Sequence, residues 1–324
     1  QAKDWNEDLI NERNGLPTDD YVTIGVRKPK YHTKSVPMIC MNDVEHTEVD
    51  WLWYPYIPFG KLTIVQGNPG EGKTFFAMQL AAACTNQKFL PDMEPFEPFN
   101  MIFQTAEDGL GDTVKPRLVS SGADLKRVLV IDDSDNPLSL ADDRIEKAIR
   151  ENNAKLMVID PLQAFLGANV DMNRANEVRP VFRKLADIAQ STGCAIVMIG
   201  HLNKASGTQS TYRGLGSIDI AAVVRSILFV GKVKDAPTTR VIVHEKSSLA
   251  PLGQALAFSL GDQKGFRWIG AYDISAEDLL AGGEGTRTEL KQEQAMKLIY
   301  EFISDGREVS VAELNKEAIE RGIS

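Results

Sequence analysis

The chain lacks any run of about 18 consecutive apolar residues, so it offers no membrane-spanning helix. Gln1 to Arg13 is polar and mixed in sign, without the apolar centre of a signal peptide. The missing initial Met reads as a trimmed or partial chain. Cysteine is scarce: Cys40, Cys84 and Cys194 are odd in number, far apart and flanked by apolar residues. That predicts buried free thiols rather than a disulfide or metal framework, and fits a reducing cytoplasm. Only four histidines are present, too few and too scattered to suggest a metal cage. Basic charge is also in deficit. With 36 Lys and Arg against 45 Asp and Glu, the formal charge of -9 excludes a chain that coats nucleic acid by bulk attraction. It leaves room for a local basic surface or a positive channel.

What is present is globular: 43% hydrophobic residues over 324 positions can bury a substantial core. Residues 1–50 read as an N-terminal arm, broken by Pro17, Pro29 and Pro37, with a short strand at Tyr21 to Val26. Trp51 to Gly60, aromatic and proline-punctuated, reads as a turn packed on the core, with an adenine-stacking or subunit-contacting platform as the alternative. Short apolar runs then recur at Leu62 to Gln66, Met101 to Thr105, Val128 to Ile131, Leu156 to Asp160, Ala195 to Gly200, Ser226 to Gly231 and Arg240 to Glu245. Continuous rather than alternating hydrophobicity marks strands covered on both faces. Helical patterns at Thr74 to Cys84, Asp142 to Asn152 and Asn176 to Gln190 lie between several of them. The pattern predicts a three-layer α/β/α fold with a mainly parallel sheet. Later runs, through Leu256 to Leu260 and Phe266 to Ile269, predict antiparallel strands that extend it. The organisation is therefore an arm (1–50), a core domain (51–271), an acidic Gly-rich linker (272–289) and a small helical segment (290–324). In that segment Leu290 to Ser304 reads as a helix, Val309 to Ala312 as an extended piece and Leu314 to Ile319 as a second short helix.

Gly67-Asn68-Pro69-Gly70-Glu71-Gly72-Lys73-Thr74, with Phe75 next, fits the P-loop pattern in its required context, after an apolar strand and before a helix. Glycines let backbone N–H groups converge on a phosphate at a helix N-terminus. Lys73 then reaches the β- and γ-phosphates, and the Thr74 hydroxyl binds Mg2+. ATP and Mg2+ are the expected cofactors. The acid that positions the magnesium should end a buried strand. Asp160 is preferred over Asp132 or Asp133, which look like a solvated loop. Hydrolysis also needs a residue that orients water. Glu107, beyond the strand Met101 to Thr105, is chosen over a plain helix N-terminal acid. His201 ends another strand at the same edge and is read as a γ-phosphate sensor, with a satisfied polar residue as the alternative.

The P-loop, Gln104 to Asp108, Val158 to Leu162 and Gly200 to Lys204 together resemble RecA-type ATPases. They are most similar to hexameric replicative helicases of plasmid RepA type and their phage and mobile-element relatives. The resemblance covers Trp51 to Ile269. It implies a homo-oligomeric, hexameric ring with ATP between subunits, Glu107 as catalytic glutamate and His201 coupled to DNA-binding loops. It places Lys204, Ser206, Gln209 and Arg213 in a loop facing single-stranded DNA. Arg225, Lys246 or Arg213 would reach a neighbour's γ-phosphate, each with a surface or core-edge salt bridge as its alternative. The C-terminal piece resembles the first helices of a winged helix in relatives encoded beside primases, which implies a primase or replication partner. The function implied is a DNA-dependent ATPase acting as helicase or helicase loader. A RecA-like regulatory ATPase, or an ATP-dependent assembly partner, is the alternative.

Overall fold

Five stretches with continuous apolar sequence form the middle of one sheet. In the computed structural model, which describes residues 38–167, 170–172, 174–202, 218–234, 236–261, 265–281, 286–287, 291–303 and 310–321, they are strands of five to seven residues. A small antiparallel ribbon, β1 (Trp51–Trp53) with β2 (Ile57–Pro58), precedes them. The ten-stranded sheet comprises β3 (Leu62–Gly67), β4 (Met101–Thr105), β5 (Val128–Leu129), β6 (Leu156–Asp160), β7 (Ala195–His201), β8 (Ser226–Lys232), β9 (Thr239–Ser247), β10 (Leu256–Ser259), β11 (Arg267–Asp273) and β12 (Thr286–Arg287). Their order is β12-β11-β10-β9-β8-β3-β7-β6-β4-β5. Pairing is parallel from β8 to β5 and antiparallel from β8 to β12, as the change in sequence texture predicts.

Helices cover both faces: α1 (Lys73–Asn86), α2 (Lys115–Ser121), α3 (Asp143–Glu151), α4 (Ala175–Thr192) and α5 (Ile218–Val223), followed by α6 (Ala276–Ala281), α7 (Lys291–Ile303) and α8 (Val311–Glu320). Strand side chains alternate between two cores. Val65, Leu156 and Val158 join Phe76, Phe103 and Trp53 on the α1 side. Ile64, Met157 and Ile159 join Ile145, Phe182 and Leu185 on the side of α3 and α4. Each fully buried Phe or Leu contributes roughly 1.5–3 kcal/mol, so both faces hold the sheet. Helix α1 is buried nearly all round, which explains its even hydrophobicity. The 51–60 turn belongs to the core: Trp53 packs on Tyr56, Phe76 and Trp268.

Four expectations change. The Val128 to Ile131 strand stops at Leu129 because the Gln104 side chain takes over the next backbone groups, donating to the Ile131 carbonyl and accepting from its N–H. Of the expected extended piece at Val309 to Ala312, Val309 lies outside the described residues, and Val311 and Ala312 instead begin α8. Ser310 and Glu313 form a reciprocal capping box that begins the helix at Val311. The 272–289 stretch contains α6, whose Leu279 is buried beside Gly231, and β12, paired to β11. Cys40 is exposed, whereas Cys84 and Cys194 are buried free thiols whose pKa values burial pushes up. The chain separates into two compact units, Gln1–Thr47 and Glu48–Ser324. Tyr21 to Val26 lies outside the described residues. No helix among the described residues is long and apolar enough to cross a membrane.

Candidate active site

The C-terminal ends of β3, β7, β6 and β4 gather the polar residues that the apolar runs lead into. Register fixes the geometry: Gly67 lies beside His201, and Thr105 beside Asp160. From β3 the chain turns through the P-loop into α1. Gly70 (φ 77°) and Gly72 (φ 96°) adopt left-handed backbone that disfavours side chains. A Cβ on Gly67 would lie 2.1 Å from the Val230 carbonyl of β8, so a glycine is needed where the loop leaves the sheet. Glu71 braces the loop by accepting from the Asn68 backbone N–H and side-chain amide, both at 3.0 Å.

Lys73 is buried, and its ammonium donates to the Gly67 and Asn68 carbonyls at 2.9 and 2.8 Å. Burial lowers its pKa to about 8, against the upward pull of Glu71, Asp160 and Glu107. Asp160, at the end of β6, is buried and accepts from the Thr74 hydroxyl at 2.7 Å. Burial pushes its carboxyl up to about 6, although the Thr74 hydrogen bond and Lys73 oppose the rise.

This donor set fits a nucleotide triphosphate and Mg2+. Thr74 and Asp160 place two oxygen ligands together, and magnesium binds few protein groups while keeping water or phosphate oxygens. Among the described residues no cluster of three or more His, Cys, Asp or Glu forms a closed metal cage. Glu107 projects into solvent beyond β4, and its Oε2 lies 3.8 Å from His201 Nε2. The His201 pKa is lowered, first by burial and then by Lys73, against the upward pull of Glu107, which favours the neutral ring. Its Nδ1 is buried without a partner among the described residues.

Lys73, Thr74, Asp160, Glu107 and His201 thus share one sheet edge. Asp132 lies outside it, in a loop where it accepts from Ser134. Arg225 and Lys246 lie at the other edge, where Ser226 pairs with Thr63 and Ile227 with Lys246. The Lys246 ammonium donates to the carbonyls of Ala221 and Val224, the latter at 3.0 Å, at the end of α5. Lys204, Ser206, Gln209 and Arg213 lie outside the described residues.

Arg117 escaped sequence reasoning. It forms a 2.7 Å salt bridge to Asp108 and stacks over Phe75 at 5.2 Å. With Phe75, Met78, Gln79 and Phe266 it lines a cavity of about 320 Å³ beside the P-loop helix. Only its place shortly after Glu107-Asp108 hints at this, because the contact depends on how α2 packs on α1.

Comparison with known proteins matches residues 27–207, more than half of the chain, to a family described as AAA domain. The chain is also 26% identical over 213 residues to the DNA repair protein RadA of Halalkalibacterium halodurans. That alignment covers 63% of this chain and 42% of RadA, so this chain spans less than half of that relative's length.

Proposed function

Because the chain belongs to the AAA-domain family, as a P-loop ATPase of RecA type, we propose that it is a DNA-dependent motor: a helicase or helicase loader of a plasmid, phage or mobile element. The observation that carries the reading is the closeness of Glu107 to His201, 3.8 Å apart, at the edge that bears Lys73, Thr74 and Asp160. His201 is the last strand residue before the 203–217 stretch, so a change at the phosphates can pass directly into that segment. The similarity to a protein named for DNA repair supports DNA as the partner.

In this reading the P-loop N–H groups and Lys73 hold the phosphates, and Lys73 exchanges its two carbonyl partners for phosphate oxygens. Thr74 and Asp160 would hold Mg2+, which would supply neutralisation of phosphate charge. Glu107 accepts the proton of the attacking water, and neutral His201 reports the state of the γ-phosphate. The nucleobase lies in the cavity beside the P-loop helix, against the stacked Phe75–Arg117 pair. Copies assemble into a hexameric cytoplasmic ring around single-stranded DNA, and Lys246 or Arg213 reaches the neighbouring subunit's phosphates. For Lys246 this means releasing its bonds at the end of α5. The net charge of -9 favours a second reading, a regulatory ATPase or an ATP-dependent assembly partner for primase or recombination proteins, without unwinding.

ATP hydrolysis measured with and without single-stranded DNA, beside the oligomeric mass in ATP, separates the two. Stimulation by DNA and a ring-sized mass are expected; a monomer whose hydrolysis ignores DNA overturns the motor. Glu107→Gln should cut turnover at least about 100-fold while nucleotide still binds. Persisting turnover removes Glu107 as the base.

A further inference from the structure

Lys61, Arg179, Arg183 and Arg225 converge on one cleft of about 500 Å³ at the sheet edge opposite the P-loop. They come from three places: the residue before β3, the outer face of α4 and the residue before β8. Six residues of β3 separate this edge from the P-loop, on the order of 20 Å. Among the described residues that line the cleft, Asp187 is the one carboxylate. Arg183 and Arg225 are exposed and enter no salt bridge among the described residues. Gly60, Ala186 and Ala222 are small, and they open the floor between the charged elements. In a chain with a formal charge of -9, such a concentration of cations runs against the general field, and the exposed Arg183 and Arg225 suit an anion.

We propose that this cleft is a second nucleic-acid surface, which takes the phosphodiester backbone of a single strand. Guanidinium groups match phosphate oxygens in a planar, bidentate fashion, which favours phosphate over a carboxylate patch. Arg179 and Arg183 lie four residues apart on α4, about 6 Å along its axis, with Arg225 and Lys61 across the floor. That is a row on an open surface, suited to a strand that lies along it. An enclosed cage would suit a small phosphate better. Helix α5 ends in the cleft at Ala222 and Val223 and follows directly on the 203–217 stretch, so a strand held there lies next in the chain to the segment leading from His201. The proposal rests on the DNA-directed reading above but requires no nucleotide.

The test uses the full chain without nucleotide and a fluorescent oligothymidylate, titrated by anisotropy across a salt series. Arg179→Gln with Arg183→Gln should weaken binding on the order of tenfold and reduce the salt slope by about 1.4, since each phosphate contact on a single strand contributes about 0.7. Arg179→Lys with Arg183→Lys should recover most of the slope. The glutamine pair should melt as the parent does and hydrolyse ATP at the parent's DNA-free rate. Parent-like binding and slope in the glutamine pair overturn the cleft proposal alone, whereas no binding by the parent chain removes the DNA reading with it. Two other results also overturn it. Inorganic tripolyphosphate that displaces the oligomer at matched ionic strength, with the tighter affinity, makes the cleft a small-polyphosphate site. A changed oligomeric mass with unchanged DNA binding makes it a contact between copies.

Discussion

Asp160 and Lys73 both carry charge inside the protein, and both are held away from their ordinary pKa values chiefly by burial. For Asp160 the sign is unambiguous. Its folded carboxyl, at about 6, holds a proton more tightly than the unfolded one, near 3.8. Stability from this group is therefore greatest below about pH 4, falls as pH rises toward 6 and is lost above that. The cost is at most about 3 kcal/mol, at 1.36 kcal/mol per pKa unit, with the opposing effects of Thr74 and Lys73 already included. Asp160→Asn should then melt several degrees higher than the parent at pH 8, with the gap closing toward pH 4.5, while magnesium-dependent hydrolysis is lost. Melting curves at the two pH values, without nucleotide, check this. A gap that does not change with pH would show that the buried charge is not its source. A site that is costly when empty is what a group poised for a cation would look like.

At the scale of elements, the junction of β3 with α1 carries the tightest constraint. An alanine at Gly67 places its methyl against the Val230 backbone, which has no side chain to swing away. An alanine at Gly70 meets nothing within 4 Å and bears only the cost of left-handed backbone, about 1–2 kcal/mol. Gly67→Ala should therefore be the more damaging, lowering stability by roughly 1–3 kcal/mol and weakening nucleotide binding together. Denaturant midpoints and a nucleotide titration of both variants give the order, and equal effects would refute the β8 contact as the cause. The central elements were legible for a related reason. Strands buried on both faces must be apolar throughout, as Leu62 to Val65 and Leu156 to Ile159 are, and the loop that follows β3 must carry its glycines at fixed places. Elements set by one side chain were not legible. The end of β5 depends on the Gln104 amide, and the stacking of Arg117 on Phe75 depends on the angle between α1 and α2. The start of α8 was available in Ser310-x-x-Glu313, but an apolar Val309 to Ala312 run masked it. Cys40 misled because flanking Met38, Ile39 and Met41 are apolar and yet exposed.

For the molecule as a whole, the proposed DNA-directed function raises the question of how hydrolysis at one sheet edge would reach a bound strand. His201 is the described residue that joins the Glu107 side of the site to the chain leading away from it. Its Nε2 faces Glu107, its backbone carbonyl accepts from the Gln163 side chain at 3.3 Å, and the chain beyond it enters the 203–217 stretch. Gln163 belongs to the turn that follows Asp160 and Pro161, so β6 and β7 are tied to each other at the edge that also carries Glu107. A neutral imidazole suits this place, since a charged ring beside Lys73 would be repelled and would draw Glu107 away from water. His201→Ala should therefore reduce the DNA-stimulated rate of ATP hydrolysis at least tenfold more than the DNA-free rate, with nucleotide affinity nearly unchanged. His201→Gln, which keeps a donor near the same position, should restore part of the stimulation. Steady-state hydrolysis at saturating and zero oligothymidylate gives the ratio directly. If both rates fall by the same factor, His201 serves the chemistry alone and the coupling must run through another strand end; if only the affinity for DNA falls, it shapes the DNA-binding segment without reading the phosphate.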